Sequence, residues 1–181
     1  MITSSGQRIR AQTSTGDWGT DTLHGLLAGH AASRPGHLAA RDQPNREERT
    51  GDPPLALSWS ELALASESLA LQLQALGIRA DDRLVVQLPN VVELLVTYYA
   101  VSKLGAIISP IPVQYGSHEL QLVARVLDAA AVLTLERLRD TELAAAARRA
   151  LPGTRVLCFG RELHIDTRPG GQGCERGAGD A

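Results

Sequence analysis

Short apolar runs and helical segments alternate regularly along the chain after residue 83. The apolar runs are typical of strands and lie at 84–88, 106–111, 131–135 and 155–159. Helical segments lie between them at 91–104, at 117–127 with Ser117 as the expected cap, and at 142–150. Strands joined by helices must run parallel, with right-handed connections and helices on the faces of the sheet. The sequence therefore predicts an α/β fold with an open, mostly parallel, doubly wound sheet and flanking helices.

The best-defined element is a helix predicted over 58–76. Ser58 and Glu61 have the spacing of a capping box, in which the side chain of each residue accepts a hydrogen bond from the backbone N–H of the other. Gly77 supplies the left-handed residue that ends a helix, and Ile78 can close over its last turn. The apolar residues between these signals share one face: Leu62, Ala65, Leu69, Leu73 and Leu76. Leu69 lies in the middle of this stripe and is predicted to be in the core.

The rest of the chain divides into three parts. Residues 1–21 are polar without hydrophobic periodicity, which predicts a flexible tail. Within the domain at 22–160, a short helix begins near Thr22, and apolar runs at 38–40 and 55–57 predict a hairpin with a long solvated loop over 42–54. After Phe159 no regular element is expected, so 161–181 is predicted to be a disordered tail rich in Gly and Arg.

Composition excludes several classes of function. The net charge is −2 and only six residues are aromatic, which argues against nucleic-acid binding. The longest apolar region, 91–113, is interrupted by charges, a glycine and two prolines, so no membrane span is expected. The N-terminus lacks the apolar stretch of a secretory signal, and Cys158 and Cys174 have no metal-ligand spacing. We expect a cytoplasmic protein with two free thiols.

Ligands of a doubly wound sheet bind beyond the carboxyl ends of its strands, which here means 89–90, 112–115 and 135–136. The first of these turns contains no glycine, so the dinucleotide fingerprint fails, and no phosphate-binding G-x-x-x-x-G-K-[ST] motif occurs. Asn90 is predicted to be a helix cap, with a ligand contact as the alternative.

Other candidate residues lack the context that their chemistry needs. Asp81 and Asp82 precede a strand, whereas the acidic pair of a response regulator follows one. Lys103, the only lysine, closes a helix and is predicted to be a partner of the helix dipole. The glycines at 170–173 have no strand before them and no helix after them. The histidines form no metal-ligand pair: His24, His30, His37, His118 and His164. The residues by themselves therefore identify no catalytic, cofactor-binding or metal-binding side chain.

Several segments, by their order and spacing along the chain, resemble one known family. They are LSWSEL at 57–62, LGI at 76–78, DRLVVQLPN at 82–90, KLGA at 103–106 with Pro110 and Pro112, SHEL at 117–120 and LDAA at 127–130. Together, over about residues 22–135, they are similar to the N-terminal part of the AMP-forming acyl-CoA synthetases, also called acyl- or aryl-acid adenylating ligases. The resemblance is closest to members that act on aromatic or alicyclic acids.

The resemblance implies ATP-dependent activation of a carboxylic acid to an acyl-adenylate, with Mg²⁺, and transfer of the acyl group to coenzyme A. In the family, the phosphate loop, the adenine and ribose motifs and a C-terminal lysine come later in the chain. No residue in 136–181 fits these motifs, and a single lysine excludes two of them. We therefore expect a truncated or frameshifted fragment that binds no cofactor, is inactive alone and self-associates through an exposed sheet edge. The alternative is a non-catalytic interaction module.

Overall fold

The structure, a computed structural model, describes residues 4–168. Seven helices and six strands lie in that range. The helices are α1 (Gly6–Ser14), α2 (Leu23–Ser33), α3 (Arg46–Thr50), α4 (Trp59–Ala75), α5 (Val92–Leu104), α6 (Ser117–Leu127) and α7 (Leu143–Ala150). The strands are β1 (Leu38–Arg41), β2 (Ala56–Ser58), β3 (Arg83–Gln87), β4 (Ile107–Pro110), β5 (Ala131–Leu135) and β6 (Arg155–Phe159).

The main sheet has four parallel strands in the order β4-β3-β5-β6. Successive side chains of each strand point to opposite faces, so Leu84 and Val86 pack against α2, α4 and α5, whereas Val85 packs against α6 and α7. Because helices cover both faces, the strands are apolar at nearly every position. The open, doubly wound α/β fold predicted from the sequence is confirmed, with strand bounds that differ by no more than one residue at either end.

Local signals determine both ends of α4. The Ser58 hydroxyl accepts the Glu61 N–H at 3.3 Å, and the Glu61 carboxylate accepts the Ser58 N–H at 2.8 Å. The hydrogen bonds from the Ser58 backbone and then its side chain hold the pKa of Glu61 below its ordinary value. At the other end Gly77 has a φ of +89°, and the Ile78 N–H donates to the Leu73 carbonyl at 3.0 Å.

Helix α5 is buried along one side and half-buried along much of the rest. Lys103 lies in its last turn, as predicted, and forms an ion pair with Glu67 of α4. Within the part of the chain that the structure describes, no helix has the length and apolar character required to cross a bilayer.

Three local expectations need correction. The 1–21 segment contains the surface helix α1, which begins after a Ser5 cap. Because α1 buries no residue, its sequence has no apolar periodicity from which a helix could be predicted. The N-cap of α6 is Gly116, whose N–H donates to Glu119 at 3.0 Å, and Ser117 is the first helical residue. After Phe159 the chain still packs, because Leu163 is fully buried and bridges to Phe159. Residues 169–181, with Cys174 and the glycines at 170–173, lie outside the described residues.

The predicted β1–β2 hairpin is present and antiparallel, and its long loop is solvated at most positions but not at all of them. Residues 42–54, which we call the strap, contain helix α3 and three buried polar residues: Asp42, Arg46 and Thr50. Hydrophobic periodicity could not predict this, because buried residues of the strap are held by ion pairs and hydrogen bonds rather than by apolar contacts.

Candidate functional site

The carboxyl ends of the strands form the candidate site. Strand β4 lies on one side of β3 and β5 on the other, so the direction of the crossovers reverses between β3 and β5. Open α/β sheets bind ligands at such a switch point. The side chain of Gln87 donates to the Tyr115 carbonyl at 2.9 Å, and Thr134 donates to the Gln87 carbonyl at 3.2 Å. The three predicted segments therefore lie along the edge formed by the carboxyl ends of the strands, which we call the carboxyl edge: 89–90, 112–115 and 135–136.

The strap occupies the crevice at this switch point. On the β3 side, Asp42 accepts the Val92 N–H of α5 at 2.8 Å. On the β5 side, the Arg139 N–H donates to the Arg49 carbonyl at 2.5 Å, and the Arg137 side chain donates to the Thr50 carbonyl at 3.4 Å. The chain thus places its own segment where a ligand of a doubly wound sheet would bind.

A buried ionic cluster holds the strap in this position. Arg46 donates to both carboxylate oxygens of Glu93 at 2.8 and 2.5 Å and to Asp42 at 2.5 Å. The three residues are each no more than 5% exposed. Burial by itself would lower the pKa of the Arg46 guanidinium, but hydrogen bonds and charges from Glu93 and then Asp42 outweigh burial and raise it. Arg46 therefore remains charged between two carboxylates.

The prediction that Asn90 caps α5 is wrong. The N-cap is Val91, which has no side-chain hydrogen bond to the helix, and Asp42 supplies the acceptor from a position 50 residues earlier. One sequence signal could have revealed this cluster. Glu93 lies on a helix that is apolar nearly all round, so its carboxylate requires a cationic partner from elsewhere in the chain.

Two of the clefts beside the strap lie at the carboxyl ends of the strands. A cleft of about 460 Å³ lies at the ends of β3 and β4, between Arg49 and the segments 88–90 and 110–114. A second, of about 420 Å³, lies at the ends of β5 and β6, between the strap residues 50–52 and the segments 135–137 and 159–161. In the second cleft Glu136 pairs with Arg161 at 3.2 Å, so the opposite charges largely compensate each other.

Cys158 lies beside the second cleft and is fully buried. Its thiol donates to Glu136 at 3.3 Å and to the Phe159 carbonyl at 3.2 Å. Burial first, and then the Glu136 carboxylate, raise the pKa of Cys158 to about 12. The thiol is therefore protonated at neutral pH and is not an activated nucleophile.

The remaining sequence candidates lie apart from this edge. Asp81 and Asp82 form the turn before β3, where Asp82 accepts the Arg79 N–H at 2.7 Å. His24 bonds to Ser102 at 3.1 Å, and the His30 ring lies 4.6 Å from that of Trp59. Among residues 4–168, no three His, Cys, Asp or Glu side chains come close enough together to hold a metal ion.

The crevice at the switch point does not fit a magnesium-bound triphosphate. The N-terminus of α5 is the position where a phosphate would find free N–H groups, but the Asp42 carboxylate already accepts the Val92 N–H there. Glu93 adds a second buried carboxylate against one guanidinium. A bound phosphate would have to displace the Asp42 carboxylate from the Val92 N–H and compete with Asp42 and Glu93 for Arg46, so we derive no chemical step through ATP at this position.

Comparisons with known proteins place the sheet in a family. A sequence model of the AMP-binding enzyme family matches residues 30–169. The chain is 36% identical, over 64% of its length, to 2-hydroxy-7-methoxy-5-methyl-1-naphthoate–CoA ligase from Streptomyces carzinostaticus, of which it covers 22%. It is 33% identical, over 55% of its length, to salicyl-AMP ligase/salicyl-S-ArCP synthetase from Mycobacterium tuberculosis, of which it covers 17%.

The fold agrees with these matches. The apo structure of MbtA from Mycobacterium smegmatis superposes with a TM-score of 0.68 and 28% identity, over 87% of this chain and 28% of that one. The chain spans 10–22% of the length of the curated relatives it matches. The match to the family model extends over more than half of the chain and includes the whole four-stranded sheet. This chain therefore belongs to the AMP-binding enzyme family.

Proposed function

We propose that the chain forms the N-terminal, sheet-containing part of a ligase that activates a carboxylic acid with ATP and then transfers the acyl group to a thiol. We further propose that the 181-residue chain does not catalyse this activation by itself and binds no nucleotide of its own. The observation that carries the second part is the closed crevice, in which Asp42 occupies the N-terminus of α5. The single lysine, Lys103, lies in the last turn of α5, at the opposite end of the helix from the crevice, and is paired with Glu67 of α4.

The acid class that we propose is an aromatic carboxylic acid. The two ligases described above are named for a naphthoate and a salicyl group and share 36% and 33% identity with this chain. We also propose a cytoplasmic location, which is supported by the ATP and coenzyme A that the proposed reaction requires.

ATP–pyrophosphate exchange tests the proposal. The chain by itself is expected to give no exchange with benzoate, salicylate or a naphthoate. A chimera that joins residues 1–135 to the corresponding downstream part of the M. tuberculosis salicyl-AMP ligase is expected to give exchange with salicylate, because the phosphate-binding groups are then supplied.

Two controls make this result decisive. The downstream part without residues 1–135 should be inactive, and circular dichroism should show that the chimera is folded. Exchange by the 181-residue chain alone would disprove the second part of the proposal. A folded but inactive chimera would count against the first part and favour the alternative, a non-catalytic interaction module.

We also propose that the chain self-associates through the edge of its sheet. The β6 edge is partly covered, because Cys158 donates its N–H to Glu162 at 2.9 Å and accepts the Leu163 N–H at 3.1 Å. Strand β4 is the opposite edge and pairs only with β3 among the described strands. Sedimentation velocity should show a weight-average mass that rises with protein concentration. A monodisperse monomer throughout would contradict self-association and favour an independent module.

A further inference from the structure

The strap is held almost entirely by polar contacts. Between residues 43 and 54 no apolar side chain is buried, and the buried residues of this stretch are Arg46 and Thr50. Helix α3 has only five residues, and its N-cap, Asn45, makes no side-chain hydrogen bond to it. Segments with few buried apolar contacts open at a lower free energy than the core around them. The strap is such a segment, whereas β3 and β5 beneath it are buried at every position except Arg83.

In the closed position several polar groups of the strap are incompletely paired, and contact with water would stabilise them. The cluster contains two carboxylates, from Asp42 and Glu93, but one guanidinium, from Arg46. Asp52 adds a third carboxylate at 3.9 Å from Arg46, though its side chain is largely exposed. The Nε atoms of Arg46 and Arg49 are buried without a hydrogen-bond partner. Buried groups of this kind are costly in the closed state and become hydrated when a segment opens.

The contacts of the strap define what opening would change. The Asp42 carboxylate accepts hydrogen bonds from two backbone amides. Its Oδ1 accepts the Val92 N–H of α5 at 2.8 Å, and its Oδ2 accepts the Leu55 N–H at 2.9 Å. The strap also separates the two clefts at the carboxyl edge. Its outward movement would release both amides together and join the clefts into one groove.

We propose that the strap is a gate that opens locally over the carboxyl edge of the sheet and is latched by Arg46 between Asp42 and Glu93. The gate does not depend on the ligase function proposed above. Opening leaves the four parallel strands and helix α5 folded, because none of their apolar contacts involves the strap residues 43–54.

Amide hydrogen exchange of the 181-residue chain, followed by NMR, tests the gate. Val92 and Leu55 are expected to have a common protection factor, the ratio of the intrinsic to the measured exchange rate, and it should be at least tenfold lower than that of Ala100 in the buried part of α5. Leu94 controls for fraying, since its N–H bonds to the Val91 carbonyl at 3.0 Å and not to the strap. If the gate opens as proposed, Leu94 exchanges more slowly than Val92.

Removal of the latch should act on the gate alone. Arg46→Met is expected to accelerate exchange of Val92 and Leu55 by the same factor, tenfold or more, and to leave Ala100 nearly unchanged. Arg83→Met is the matched control, because Arg83 pairs with Asp128 at 2.9 Å away from the strap. The proposal is overturned if Val92 exchanges together with Leu94 or Ala100 in the wild-type chain. That comparison decides the question even if the Arg46 variant does not fold.

Discussion

Replacement of Leu69 by alanine is expected to lower the free energy of unfolding by about 2 to 5 kcal/mol. Leu69 is fully buried in the middle of α4, where it belongs to the core between the helices and the sheet. The substitution removes the apolar area of three carbon atoms and leaves a cavity that rigid neighbours fill only partly. Urea denaturation followed by far-UV circular dichroism measures the loss.

Leu71→Ala is the matched control for this prediction. Leu71 lies two residues further along the same helix and is 53% exposed, so its side chain contributes little to the core. Its replacement should change the free energy of unfolding by less than about 0.5 kcal/mol. Equal losses for the two variants would show that the buried face of α4 has been misassigned.

The elements predicted best from sequence are those with local signals at both ends. Helix α4 has its capping box and its left-handed Gly77 within the element, so no distant residue is needed to place it. The strands β5 and β6 coincide with apolar runs because helices bury both of their faces. In both cases the residues that determine the element, the caps of α4 and the apolar residues of the strands, lie within or next to the element itself.

The place of the candidate site in the fold follows from the order of elements alone. The structure confirms that the segments 89–90, 112–115 and 135–136 lie at the carboxyl ends of the strands, and ligand binding there stays a prediction. The strap was missed because its buried contacts join residues far apart in the chain. Arg46 and Glu93 are separated by 47 positions, and neither hydrophobic periodicity nor local propensity carries information over that distance. The charged residues Asp42 and Arg46, which the sequence pattern places in a solvated loop, are therefore buried and hold the strap at the carboxyl ends of the strands.

Replacement of Val132 by aspartate should destabilise the chain severely. Val132 is fully buried on β5, between β3 and β6, and faces the apolar cluster formed with α6 and α7. An ionised carboxylate there has no partner, and its burial is expected to cost roughly 4 kcal/mol or more. Since domains of this size are stable by about 5 to 15 kcal/mol, we expect loss of cooperative thermal unfolding at pH 7.

The pH dependence of this variant distinguishes a buried charge from a simple packing defect. An apolar environment raises the pKa of an aspartate in the folded state, while the unfolded chain ionises near pH 4. Above about pH 4 the folded state binds more protons than the unfolded state, so the stability of the variant falls as pH rises. Val126→Asp is the control, because Val126 is 73% exposed on α6 and should show neither the loss nor the pH dependence. A Val132→Asp chain as stable as this control at pH 7 would mean that α6 and α7 do not cover the second face of the sheet.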